Sequence, residues 1–137
     1  MKQKLINAYI KTAHAFAECS TAQRLKVGAI IVKDNRIISI GYNGTPSGWS
    51  NECEHYVDSE LVTKPEVMHA ESNAITKLAR SVESGEGSTM FCTHAPCVEC
   101  AKLIIQSGIT EVHFEIEYRN NDGLQLLKKA GVKTHKI

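Results

Sequence analysis

The amino-acid sequence predicts an α/β fold, a three-layer αβα sandwich around a mixed five-stranded sheet. Two observations carry this. Residues 27–32 (VGAIIV) and 36–42 (RIISIGY) read as two strands on either side of Asp34-Asn35, the pattern of a hairpin. After that hairpin, strand-like and helix-like segments alternate to the C-terminus, an order that sandwiches one sheet between helices. The length of 137 residues suits a single domain spanning 1–137, long enough to bury a real core and too short for two.

The elements follow in order. Leu5, Ile6, Tyr9, Ile10, Ala13, Phe16 and Ala17 recur at helical spacing, which predicts an amphipathic helix ending near Ser20. The hairpin comes next. Residues 43–66 show little periodicity and carry Gly44, Pro46, Ser47, Gly48 and Pro65, so a long loop is expected, functional or mobile. Residues 69–80 predict a second helix, 89–93 a third strand and 97–106 a third helix that Ser107-Gly108 stops. Residues 111–116 alternate as a fourth strand, 122–130 form a fourth helix with Gly131 as its stop, and 132–137 are a short fifth strand.

Composition narrows the function classes. Apolar residues make up 42% and charged residues 23%, as in a soluble globular protein. No apolar run approaches a membrane span and the N-terminus lacks a signal-peptide core, so a cytoplasmic location is expected, with no membrane partner. The five cysteines do not form the even framework of a secreted disulfide protein. A net charge of +1 offers no broad pull toward polynucleotides, and the loop adds Glu52, Glu54, Asp58, Glu60 and Glu66 against Lys64 alone. No nucleic-acid partner is expected.

Two segments carry the chemistry: His69-Ala70-Glu71 and Pro96-Cys97-Val98-Glu99-Cys100. His69, Cys97 and Cys100 are three good ligands for a catalytic zinc ion, which takes three protein donors and leaves one position to water. Glu71 is the spare carboxylate, free to take a proton from that water and pass it on. Pro96 suits the first turn of a helix, so Cys97 and Cys100 share one face at its N-terminus, where partial positive charge favours thiolate. His69 and Glu71, two apart, point apart within a helix, so His69 is expected at the very start of one. Two other readings stay open: a redox Cys-x-x-Cys pair, and a structural zinc completed by His94 or Cys92.

The pattern is similar to the His-x-Glu…Pro-Cys-x-x-Cys signature of zinc nucleobase deaminases. With RLKVGAIIV (24–32), GYNGTPSG (41–48), HAESNAI (69–75) and CAKLIIQSGI (100–109), the chain resembles the cytidine deaminase superfamily and, within it, the deoxycytidylate (dCMP) deaminases, over nearly its whole length. The resemblance implies a cytidine-deaminase-like sandwich, hydrolysis of dCMP to dUMP and ammonia for thymidylate supply, and a homo-oligomer, often a hexamer. It also implies activation by dCTP and inhibition by dTTP, with Mg2+ accompanying a triphosphate effector, and a host-cytoplasm setting if the chain is viral.

Residue by residue, the resemblance makes Glu71 catalytic and assigns zinc to His69, Cys97 and Cys100. It places Asn43 on the sugar and Arg24 on the 5′-phosphate, with Ala70 and Tyr118 also against substrate and Gly41, Tyr42, Asn43 and Gly44 in effector binding. Some relatives hold a second zinc in the long loop; here only Cys53, His55 and Cys19 are available and none is expected there. His14, His113 and His135 fall on helix or strand faces and are assigned no chemistry. The alternatives are another deaminase of the same fold, acting on cytidine, dCTP or tRNA adenosine, and a non-catalytic zinc module that binds nucleotides.

Overall fold

The structure is a computed structural model describing residues 1–137. Its elements run α1 (Gln3–Ala17), β1 (Gly28–Lys33), β2 (Arg36–Tyr42), β3 (Glu54–Val57), β4 (Glu60–Thr63), α2 (Ala70–Leu78), β5 (Thr89–His94), α3 (Val98–Gln106), β6 (Glu111–Ile116), α4 (Asp122–Lys129) and β7 (Lys133–Lys136). The main sheet has the order β2-β1-β5-β6-β7. β1 is antiparallel to β2 and β5, whereas β5, β6 and β7 are parallel, so the expected mixed five-stranded sheet is present.

Alternation along β1 divides the core. Ala29 and Ile31 join Ala70, Ala74, Ala101, Ile104 and Leu127 of α2, α3 and α4 on one face. Ile30 and Val32 join Ile10 and Ala13 of α1, with Phe91 of β5, on the other. Both faces are therefore apolar and covered, as a central strand between helical layers requires.

Close backbone approaches fix the layers. A Cβ on Gly28 would run into the carbonyl of Ala13 and lie 2.9 Å from the amide nitrogen of Ala17, so α1 sits directly on the start of β1. Gly28→Ala is expected to cost about 3 kcal/mol through overpacking. The check is a urea-denaturation midpoint shifted down at unchanged slope.

The main correction concerns residues 43–66. Instead of an irregular loop, residues 54–63 form a β-ribbon, with Glu54 paired to Thr63 and Val57 to Glu60. Asp58 and Ser59 turn it with φ of 49° and 66°, as Asp34 and Asn35 turn the first hairpin with 51° and 58°. Both are the double left-handed geometry that matches strand twist. The ribbon's acidic residues and the absence of a glycine at the turn masked its alternation. An isolated two-stranded ribbon is marginal. This one is docked by Glu54, whose Oε2 accepts the backbone N–H groups of Gln23 and Arg24 at 2.9 and 3.0 Å.

Candidate active site

The site lies at the N-termini of α2, which follows the ribbon, and α3, which follows β5 of the main sheet. His69 is the residue capping α2, with extended φ/ψ of −72°/156°, and Cys97 occupies the same place on α3 with −77°/174°. Extended backbone at a helix cap turns the side chain away from the helix axis. Both donors thereby aim at one point, and Cys100 joins them from the first turn of α3. His69 Nδ1 lies 3.5 Å from Cys97 Sγ and 3.3 Å from Cys100 Sγ.

A tetrahedral zinc with bonds of about 2.0–2.1 Å to nitrogen and 2.3 Å to sulfur separates such donors by roughly 3.6 Å. The three residues fit that ion. Neither His94 nor Cys92 joins the cluster. His94 Nδ1 is engaged by Thr93 Oγ1 at 2.8 Å, and the buried Cys92 thiol is pushed well up by desolvation. A closed four-ligand site is thus absent, against the structural-zinc reading.

The donors are electrostatically prepared. Hydrogen bonds from Cys100 and His69 hold Cys97 well below the ordinary thiol range. That same Cys97 contact, with burial, pushes the Cys100 thiol up. The hydrogen bond to Cys97 raises His69. A metal ion would displace these protons, as ligand deprotonation demands.

Glu71, the second residue of α2, is 4% exposed. Burial pushes its carboxyl up to about 7, partly offset by a backbone hydrogen bond and the nearby His69. A group titrating near neutrality accepts and returns a proton at little cost.

A cavity of about 360 Å³ opens over these residues, inside the range of small-ligand clefts (about 300–1,000 Å³). Arg24, Asn43, Ala70 and Tyr118 all line it with His69, Glu71 and Cys97, so every residue expected against substrate reaches one space. Asn43 is anchored: its Oδ1 accepts the Val27 N–H at 2.9 Å and its Nδ2 donates to the Leu25 carbonyl at 2.8 Å. It shapes the 25–27 segment that walls the cavity. Arg24 Nη1 donates to Thr63 Oγ1 of the ribbon at 3.2 Å.

Two lining residues were missed. Arg119 donates to the Tyr118 hydroxyl at 3.3 Å, its guanidinium 5.3 Å from that ring's centre. Its position beside Tyr118 was the available signal. Glu54, counted among the loop acids, is 9% exposed and lines the cavity, and its buried Oε1 has no hydrogen-bond partner. Nothing in the sequence marked it, because the ribbon that carries it was not foreseen.

The GYNG residues divide. Gly41 packs its Cα against the Ala70 carbonyl and Ala74 of α2, without lining either cavity. Gly44 exchanges backbone hydrogen bonds with Met68 at 3.1 and 2.8 Å, fixing the residue before His69. Neither glycine has positive φ. Tyr42, Asn43 and Gly44 do line a second cavity of about 320 Å³ with Trp49, so Asn43 borders both. Cys19, Cys53 and His55 do not converge.

Comparison with known proteins gives the same picture. Residues 3–116 match the cytidine and deoxycytidylate deaminase zinc-binding region. The chain is 40% identical to human deoxycytidylate deaminase over 139 residues, covering 94% of this chain and 77% of the human protein. It is 34% identical to ComE operon protein 2 of Bacillus subtilis over 133 residues, 94% of this chain and 69% of that protein. The crystal structure of dCMP deaminase from cyanophage S-TIM5 in complex with dCMP and dUMP superposes with a TM-score of 0.94 at 46% identity, covering 100% of this chain and 99% of that one. A match over most of the chain, with its donor triad converging as the motif requires, makes this protein a member of the cytidine and deoxycytidylate deaminase family.

Proposed function

We propose that this protein hydrolyses dCMP to dUMP and ammonia. The observation that carries the proposal is the buried Glu71 carboxyl beside the convergent His69, Cys97 and Cys100 donors, on the floor of a cavity rimmed by two arginines. Zinc held by those three residues supplies a nucleophile from water near neutral pH.

The protein's own groups do the rest. Glu71 takes a proton from the attacking water and delivers it to N3 of the cytosine as the C4–O bond forms. It then carries the water's second proton to the amino nitrogen, which leaves as ammonia when the C4–N bond breaks. Burial keeps bulk water from competing for that proton. Ala70 packs beneath the base and Tyr118 flanks it. Asn43 and Glu54 line the sugar's side of the cavity, where a carboxylate oxygen accepts a hydrogen bond from a hydroxyl. Arg24 and Arg119 hold the 5′-phosphate, which a guanidinium meets with paired N–H groups.

The phosphate assignment predicts a split between substrates. Arg119→Ala and Arg24→Ala are each expected to raise KM for dCMP roughly tenfold, the loss of a charge-assisted hydrogen bond. Turnover of deoxycytidine, which has no phosphate, should stay at its own level. Steady-state kinetics on the two substrates decide it.

The same reading extends to regulation: a homo-oligomer, as a hexamer, activated by dCTP with Mg2+ and inhibited by dTTP, and acting in the cytoplasm. Its support is the second cavity, lined by Tyr42, Asn43 and Gly44 and sharing Asn43 with the first. No helix is long and apolar enough to cross a membrane. Ammonia release from cytidine, dCMP and dCTP, each with and without dCTP or dTTP as effector, tests substrate and control together. Preference for cytidine over dCMP would overturn the substrate, and rates indifferent to both triphosphates would overturn the control.

A further inference from the structure

Away from the cavity, one other set of side chains brings metal-ligating atoms together: Glu111, His113 and His135. Glu111 and His113 are two apart on β6, so they project from the same face of the sheet. His135 is the register partner of His113 on the neighbouring parallel strand β7. Glu111 Oε2 lies 3.3 Å from His113 Nε2 and 3.1 Å from His135 Nε2, and the three donors lie within 4.8 Å of one another.

His113 is the informative member. It is 5% exposed, stacked between Phe91 (4.8 Å between centres, 12° between planes) and His135 (4.5 Å, 21°). Its buried Nε2 makes no well-formed hydrogen bond, with Glu111 Oε2 standing 3.3 Å away as a charge contact. A buried polar nitrogen left unpaired is costly and rare. This one is aimed at a carboxylate oxygen that a second imidazole also faces.

We propose that Glu111, His113 and His135 bind a divalent transition-metal ion of the zinc class, which ties the terminal strand β7 to β6. Two imidazoles and a carboxylate are the donor set such an ion takes, with the remaining positions left to water. Bonds of about 2.0–2.2 Å in a tetrahedral arrangement set donors roughly 3.3 Å apart, and both contacts to Glu111 already have that spacing. The stacked rings must tilt for their lone pairs to converge. His135, partly exposed on the last strand, has room to do so. The site contains no cysteine and shares no residue with the deaminase centre, so it stands independently of the proposed activity.

Metal-free protein re-equilibrated with Zn2+ and freed of excess ion should hold two zinc per chain, measured by elemental analysis. His135→Gln and Glu111→Gln should each hold one and keep deaminase activity, since neither residue touches the cavity. Both variants keep His113 itself in the core, and circular dichroism verifies that folding is retained. In Co2+-loaded protein the thiolate-to-cobalt charge-transfer band reports the His69, Cys97 and Cys100 site separately. The second equivalent should add only ligand-field bands, and these should vanish in the two variants. One zinc in the wild type with that thiolate band intact, or two zinc in either variant, overturns the proposal.

Discussion

Glu71→Gln is expected to abolish dCMP turnover while leaving the metal in place. Gln fills the same volume and disturbs none of the three donors, but cannot take or return a proton. General acid–base groups contribute about 10²–10⁴ in rate, and this one is asked to serve water, ring and leaving group in turn. A loss of roughly 10³ or more in kcat at unchanged zinc content is the expected result. Zinc content and initial rate, read on the same preparation, check it. Turnover within tenfold of wild type would remove Glu71 from the reaction.

Cys97→Ala should fail differently. Removing one sulfur leaves an imidazole and a thiol, too few donors to compete for zinc, and metal bound only by the folded state contributes to stability. At a hundredfold excess of metal over its dissociation constant that contribution is about 2.7 kcal/mol. For a chain of this size it corresponds to a melting temperature lower by about 10 °C. Zinc per chain and calorimetric Tm should fall together, and chelation of the wild type should lower Tm by at least as much. A variant that melts like the wild type and retains its zinc would show that Cys97 is not a ligand.

The donor triad was legible because metal chemistry restricts residue type and because Pro96 and the two helix starts are written locally. His69 falls at a helix cap for the reason its spacing to Glu71 demanded: only there do imidazole and carboxylate escape opposite faces. The order of these elements was legible for the same local reasons, with boundaries shifting by three residues at most. Where helix ends were set too long, as for α1 toward Ser20, the last residues form a turn that directs Ser20 Oγ onto the Asn43 carbonyl at 2.7 Å.

What stayed hidden depends on distant contacts. The ribbon carrying Glu54 is held by backbone groups of Gln23 and Arg24, some 30 residues upstream, and no local pattern encodes that docking. Arg119 becomes part of the cavity only because β6 delivers Tyr118 to its rim. His113 and His135 lay 22 residues apart without a motif; the parallel register of β6 and β7 puts them side by side.

The placement of β1 has one more consequence. Its successive residues belong to different cores, Ile30 to the α1 side and Ile31 to the α2–α3–α4 side, so both helical layers lean on a common partition. Losing either layer would strip a face from the strand on which the other depends. Melting should therefore be all-or-none, with the calorimetric and van't Hoff enthalpies equal and no half-dissolved species between the two ends of the transition.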